Sequence, residues 1–181
     1  MTKVRAQVPG GHRKKPEGGV STARTAYVDG LKMLARRELS EAQIRQRLAR
    51  KGHAADTVAA AVERLLAERA INDQRVAEAI AHTEVTLRRR GKLRIRRQIE
   101  QAGIAPATAR RAIDAVFGDI DDDALLETSL DKRLRGRIEI ANDGEFRRLF
   151  RYLVGQGFES DRVVAALKRR RSSRVAAADD E

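Results

Sequence analysis

One pattern occurs three times in this chain and constrains its fold more than any other feature. An apolar residue is followed four positions later by another, and four later again by a glycine. The copies are Ile44, Leu48 and Gly52, then Ile95, Ile99 and Gly103, then Leu149, Leu153 and Gly157. The glycines stand 51 and 54 residues apart. The frame continues past each of them. Six positions on come Val58, Ala109 and Val163, and ten positions on come Val62, Ile113 and Leu167. A spacing of four places each apolar pair on one helical face. Glycine supplies the left-handed residue that ends a helix. Each copy therefore predicts a helix, a glycine stop, a short turn and a second helix, the turn entering through Asp56, Pro106 or Ser160.

A further helix is expected before each pair. The first runs from about Thr22 to Arg37, with Leu31 and Leu34 facing inward, and Ser40-Glu41-Ala42-Gln43 starts the next helix as a capping box. In the second copy Asn72 caps a helix carrying Val76, Ala79, Ile80 and Leu87. In the third, Asp119, Asp121, Asp122 and Asp123 precede Leu125, Leu126, Leu130 and Leu134, acids that suit the positive end of a helix dipole. The expected fold is all-α: three tandem three-helix repeats in an elongated or curved array. The repeats are assigned to residues 21–70, 71–118 and 119–170, with neighbours sharing apolar surface. Residues 1–20, with their Gly-Gly pairs, two of the three prolines and five bases against one acid, are read as a disordered basic N-terminal arm. Residues 171–181 are read as a frayed tail extending the last helix.

Composition supports the helical reading: Trp is absent and aromatics make up 3% of the chain, whereas Ala, Leu, Arg and Glu are abundant. The formal net charge of +12 implies an acidic partner. Residues 21–70 carry ten bases and six acids, residues 71–118 ten and five, and residues 119–167 eight and eleven, so the basic character is assigned to the arm, the first two repeats and the start of the tail. The absence of cysteine removes disulfides, thiolate metal sites and cysteine nucleophiles, and suits a reducing cytoplasm. The longest uncharged stretch, Gln101 to Ala109, is nine residues, far below the roughly 20 that cross a membrane. No secretory signal is read at the N-terminus.

The densest basic segment is Arg88-Arg89-Arg90-Gly91-Lys92-Leu93-Arg94-Ile95-Arg96-Arg97. Its cations are candidates for contact with DNA phosphate or an acidic protein surface, against the plain alternative of a solvated helix end with Leu93 and Ile95 packed inward. Arg36, Arg37, Arg45, Arg47, Arg50 and Lys51 form a second, sparser set. His12, His53 and His82 are isolated from one another and offer no metal-ligand spacing. Asp121-Asp122 and Asp179-Asp180 are read as a helix start and a tail rather than a magnesium or catalytic site. Gly10 to Lys15 lacks the ending of a P-loop. Neither a cofactor nor a metal is expected. Tyr27, Phe146, Phe150, Tyr152 and Phe158 are assigned to core or inter-repeat packing rather than to base stacking.

The run LARRELSEAQIRQRLARKGH, Leu34 to His53, resembles the first-repeat signature of the RecX family. Ala70 to Ala77 (AINDQRVA) resembles the start of that family's second repeat, and Arg147 to Leu167 (RRLFRYLVGQGFESDRVVAAL) its closing repeat. The resemblance spans about residues 24 to 170. His53, Ala55, Val76 and the Gly91-Lys92-Leu93 turn depart from the family pattern without disturbing the repeat frame. The resemblance implies a regulatory protein, not an enzyme. It would bind the RecA recombinase in the groove of the RecA–DNA filament and restrain ATPase and strand exchange in homologous recombination and DNA repair. DNA would be a second partner, and the chain is expected to be a cytoplasmic monomer. The alternative reading is a stand-alone DNA-binding protein whose helix–glycine–helix units act as helix-turn-helix readers. Few base-reading side chains on Val58–Leu66 and Ala107–Val116 speak against it.

Overall fold

The computed structural model describes residues 22–178. The arm at 1–20, with His12 and Gly10 to Lys15, lies outside the described residues, as does Asp179-Asp180. Among the described residues there are nine α-helices and no strand. They are α1 (Ala23–Leu34), α2 (Glu41–Arg50), α3 (Ala55–Ala67), α4 (Asp73–Thr86), α5 (Lys92–Gln101), α6 (Pro106–Phe117), α7 (Asp122–Leu134), α8 (Asp143–Gln156) and α9 (Ser160–Ala178).

The helix boundaries follow from local chemistry. Thr22, Ser40, Asn72, Asp121 and Asn142 cap helices with their side chains, and Ser40 and Gln43 complete the capping box. Pro106 occupies the first turn of α6, where its missing N–H costs nothing. Gly52, Gly103 and Gly157 end α2, α5 and α8 with φ of +93°, +78° and +95°.

The helices pack as three triplets, α1–α3, α4–α6 and α7–α9, each around its own apolar cluster. The repeat positions form the centres of these clusters. Ile44, Leu48 and Val62 are buried in the first, Ile95, Ile99 and Ile113 in the second, and Leu153, Val163 and Leu167 in the third. Each such side chain contributes about 1.5–3 kcal/mol by leaving water.

The faces of α1 and α4 follow expectation in part. Val76 is buried, and Leu34 and Ile80 pack against their clusters. Leu31, by contrast, is 37% exposed, Leu87 is 74% exposed and Ala79 is exposed as well. The buried stripes also include small residues, Ala26 and Gly30 on α1 and Ala77 and Ala81 on α4. A Cβ at Gly30 would stand 2.7 Å from Leu65 Cδ1. Small side chains let these helices lie close to α3 and α6.

The triplets meet through polar and backbone contacts more than through the shared apolar surface expected from the sequence. Leu125 packs against both the second and third clusters. Elsewhere one junction is used twice. At the first, Ser40 Oγ donates to the carbonyl of Ala102 at 2.5 Å, and Gly103 lies against Ala42. At the second, the N–H of Gly91 donates to Gln156 O at 3.0 Å and that of Leu93 to Gly157 O at 3.1 Å. Ser40 and Gly91 are both helix N-caps, 51 positions apart. Thus the start of the second helix in one triplet seats on the glycine end of the second helix in the next.

Candidate functional site

The segment 88–97 covers the turn after α4 and more than half of α5. Four of its seven cations have structural partners. Glu84, 2% exposed, receives Arg88 Nη1 at 2.7 Å and is also paired with Arg90. Arg90 further donates to Gln98 Oε1 at 3.2 Å. A buried carboxylate is tolerable only when so neutralised. Lys92 Nζ lies 2.7 Å from Asp122 and over the Phe117 ring, 4.9 Å from its centroid. Arg94 Nη1 donates to Gly155 O at 3.0 Å across the second junction. Arg96 and Arg97 are exposed, and Arg89 is half-buried in a left-handed conformation with φ of +52°. These three have no ion pair among the described residues. Leu93 is half-buried and Ile95 fully buried, so the plain packing role and the exposed cations coexist on α5.

The second set divides similarly. Arg45 pairs with Glu41 one turn away at 2.7 Å, and Lys51 Nζ with Asp29 at 2.5 Å. Asp29 also accepts from His53 Nε2 at 2.9 Å. The Lys51 hydrogen bond, joined by that of His53, holds the Asp29 carboxyl below its ordinary range despite burial. Arg36, Arg37 and Arg50 are exposed and Arg47 half-buried, with no ion pair among the described residues. Arg47 and Arg50 are three positions apart on α2, close enough to face one ligand. His82 is exposed on α4. No group of three or more His, Cys, Asp or Glu among the described residues is placed to hold a metal.

Charge counting did not reveal how the third triplet pairs its charges. Five of its acids meet cations of α9. Arg162 bridges Asp122 and Asp123 at 3.0 and 2.9 Å, Arg170 bridges Glu127 and Asp131 at 2.9 and 2.6 Å, and Arg171 pairs with Asp143 at 2.6 Å. Glu145 is paired with Arg137 and accepts the N–H of Ala141 at 2.8 Å. Those two contacts lower its pKa to about 2. Arg147, Arg148 and Arg151 are left exposed on α8. Phe146 and Phe150 pack partly on the third cluster, as expected, yet they also line an open groove with Arg147, Arg151 and Val164. Sequence reading did not single this groove out. Its trace was there, as two interleaved pairs at four-residue spacing, Phe146 with Phe150 and Arg147 with Arg151.

No described helix is long and apolar enough to cross a membrane. Residues 26–65 match the family model described as RecX, first three-helix domain, and residues 72–113 match that described as RecX, second three-helix domain. The regulatory protein RecX of Halorhodospira halophila is 32% identical over 152 residues, covering 83% of this chain and 86% of the relative. That of Syntrophotalea carbinolica is 31% identical over 136 residues, covering 75% and 89%. The crystal structure of RecX from Lactobacillus salivarius superposes with a TM-score of 0.68 at 17% identity, covering 81% of this chain and 95% of that one. A second RecX crystal structure gives 0.69 at 20% identity, covering 81% and 71%. Those two likenesses establish the helical repeat fold. The identity along most of the chain, with both three-helix domains in order, establishes descent: the chain belongs to the RecX family of regulatory proteins.

Proposed function

We propose that this chain binds the RecA–DNA filament and lowers its ATPase and strand-exchange activities. The observation that carries the reading is the set of arginines without an internal ion pair, presented by a tandem array in a family of regulatory proteins. Arg36, Arg37, Arg47, Arg50, Arg89, Arg96 and Arg97 are the primary contacts in this proposal. Arg45, Lys51, Arg88, Arg90, Lys92 and Arg94 take part only by exchanging an internal carboxylate or carbonyl for an external one. The repeats at 21–70, 71–118 and 119–170 act as separate binding units, so that one chain touches more than one RecA protomer and gains avidity. The protein works as a cytoplasmic monomer and carries out no reaction of its own. Its effect is to bias protomer geometry and to compete with incoming duplex.

The test is RecA's ATPase on single-stranded DNA with this protein at low micromolar concentration. A marked fall is expected for the wild type and a much smaller one for Arg96→Glu/Arg97→Glu. Hydrolysis unchanged by the wild type removes the proposal. Tight binding to naked DNA at physiological salt, with no binding to RecA, supports the helix-turn-helix alternative instead. The loss of about 0.7–0.9 in log–log salt slope for each phosphate contact removed separates arginines on DNA from those on protein.

A further inference from the structure

The groove between α8 and α9 is unlike the rest of the surface. Its walls are Phe146 and Phe150 from α8 and Val164 from α9, so the trough is apolar. Its rim is cationic, formed by Arg147 and Arg151, whose guanidinium groups have no ion pair or hydrogen bond among the described residues. Arg137, Arg162, Arg169, Arg170 and Arg171 of the same triplet are paired with carboxylates, whereas Arg147 and Arg151 remain available on the groove rim. An apolar trough gains by taking an apolar side chain out of water. Two guanidinium groups four residues apart, about 6 Å along the helix axis, match two carboxylates at the same spacing on a partner helix.

Nucleic acid fits this groove less well than peptide. Both Phe rings are partly withdrawn against the core and form a trough rather than projecting stacking faces. A short peptide needs only the trough and its arginine rim.

We propose that the α8–α9 groove docks an acidic amphipathic segment of the regulated protein. An apolar anchor lies between Phe146, Phe150 and Val164, and flanking carboxylates meet Arg147 and Arg151. This inference rests on the reading of RecA as the partner. It assigns the third triplet to protein recognition, apart from the arginines of α2 and α5.

The experiment measures the affinity of the intact protein for RecA filaments on single-stranded DNA, and for a fluorescein-labelled oligo(dT) alone, at one salt concentration. The variants are Arg147→Glu/Arg151→Glu, Phe150→Ser and Phe150→Leu. The arginine reversal is expected to weaken filament binding about tenfold or more, with oligo(dT) binding and the thermal midpoint unchanged. Phe150→Leu is expected to retain filament binding that Phe150→Ser loses. Filament affinity unaltered by the arginine reversal, in a wild type that binds, overturns the groove assignment and leaves the RecA reading intact. Parallel losses on oligo(dT) overturn it in favour of a nucleic-acid site. A wild type that does not bind the filament overturns both.

Discussion

Gly52 and Gly157 occupy the same place in the repeat but carry different burdens. Both have φ near +95° and end a second helix. Nothing lies within 4 Å of a Cβ placed on Gly52. A Cβ on Gly157 would collide with the backbone nitrogen of Arg94 and stand 2.8 Å from the carbonyl oxygen of Gly91. Gly52→Ala therefore meets only the left-handed strain, about 1 kcal/mol. Gly157→Ala adds displacement of the second junction, which costs about 1–3 kcal/mol more by the usual penalty of overpacking. Urea unfolding followed by circular dichroism is expected to show a small shift for Gly52→Ala and a shift at least twice as large for Gly157→Ala. Equal shifts would mean that the junction yields without cost. The sequence repeat made the two glycines look alike, and only the triplet that precedes Gly157 in the array, and that Gly52 lacks, separates them.

At the scale of the element, helix starts follow from chemistry a few residues long, and α8, whose cap the sequence reading did not name, shows how far that reaches. Asn142 caps the helix by accepting from the N–H of Glu145 at 2.9 Å, and Glu145 reaches back to the N–H of Ala141 and to Arg137. The folded-state pKa of Glu145, about 2, lies below its ordinary 4.5. Its contribution is thus fully present above about pH 4.5 and disappears as pH falls through that interval toward 2. The thermal midpoint of Glu145→Gln is expected to lie below the wild type at pH 7, with the gap closing between pH 4.5 and pH 2. A gap that stays constant with pH would show that the carboxylate charge plays no part. The Ser40 and Asn72 caps, the glycine stops and the faces of α2, α5 and α8 were legible because each rests on residues within a few positions of one another. Asn142 and Gly91 were not singled out as helix starts. The faces of α1 and α4 were legible only in part, because periodicity weighs bulky residues such as Val76 and Ile80 and passes over Ala26, Gly30, Ala77 and Ala81, through which these helices also pack. The candidate site was legible as a basic segment. Which cations stay free was not, since Arg90 is engaged by Glu84, Lys92 by Asp122 and Lys51 by Asp29, and the last two pairings join separate helices or helix ends.

Across the whole molecule, the arrangement of cores governs how a perturbation spreads. Every strong helix–helix contact lies within a triplet, and the junctions consist largely of hydrogen bonds and close backbone approaches. Stability in such an array is a sum of unit terms and nearest-neighbour terms, so distant units respond independently. Leu48 and Leu153 are both fully buried, one in the first cluster and one in the third. Leu153→Ala is expected to remove about 2–5 kcal/mol from the triplet that holds it. Native-state hydrogen exchange should then show a large loss of protection in α7–α9, a smaller one in α4–α6 through the Gly91–Gly157 junction, and almost none in α1–α3. Leu48→Ala should give the mirror-image gradient. Uniform loss of protection along the chain would show that the junctions couple all three cores into one cooperative unit. A graded loss would also bear on the proposed function, in which the units settle separately on successive protomers of a filament. Junctions held by a few polar contacts permit that adjustment where one continuous apolar core would resist it.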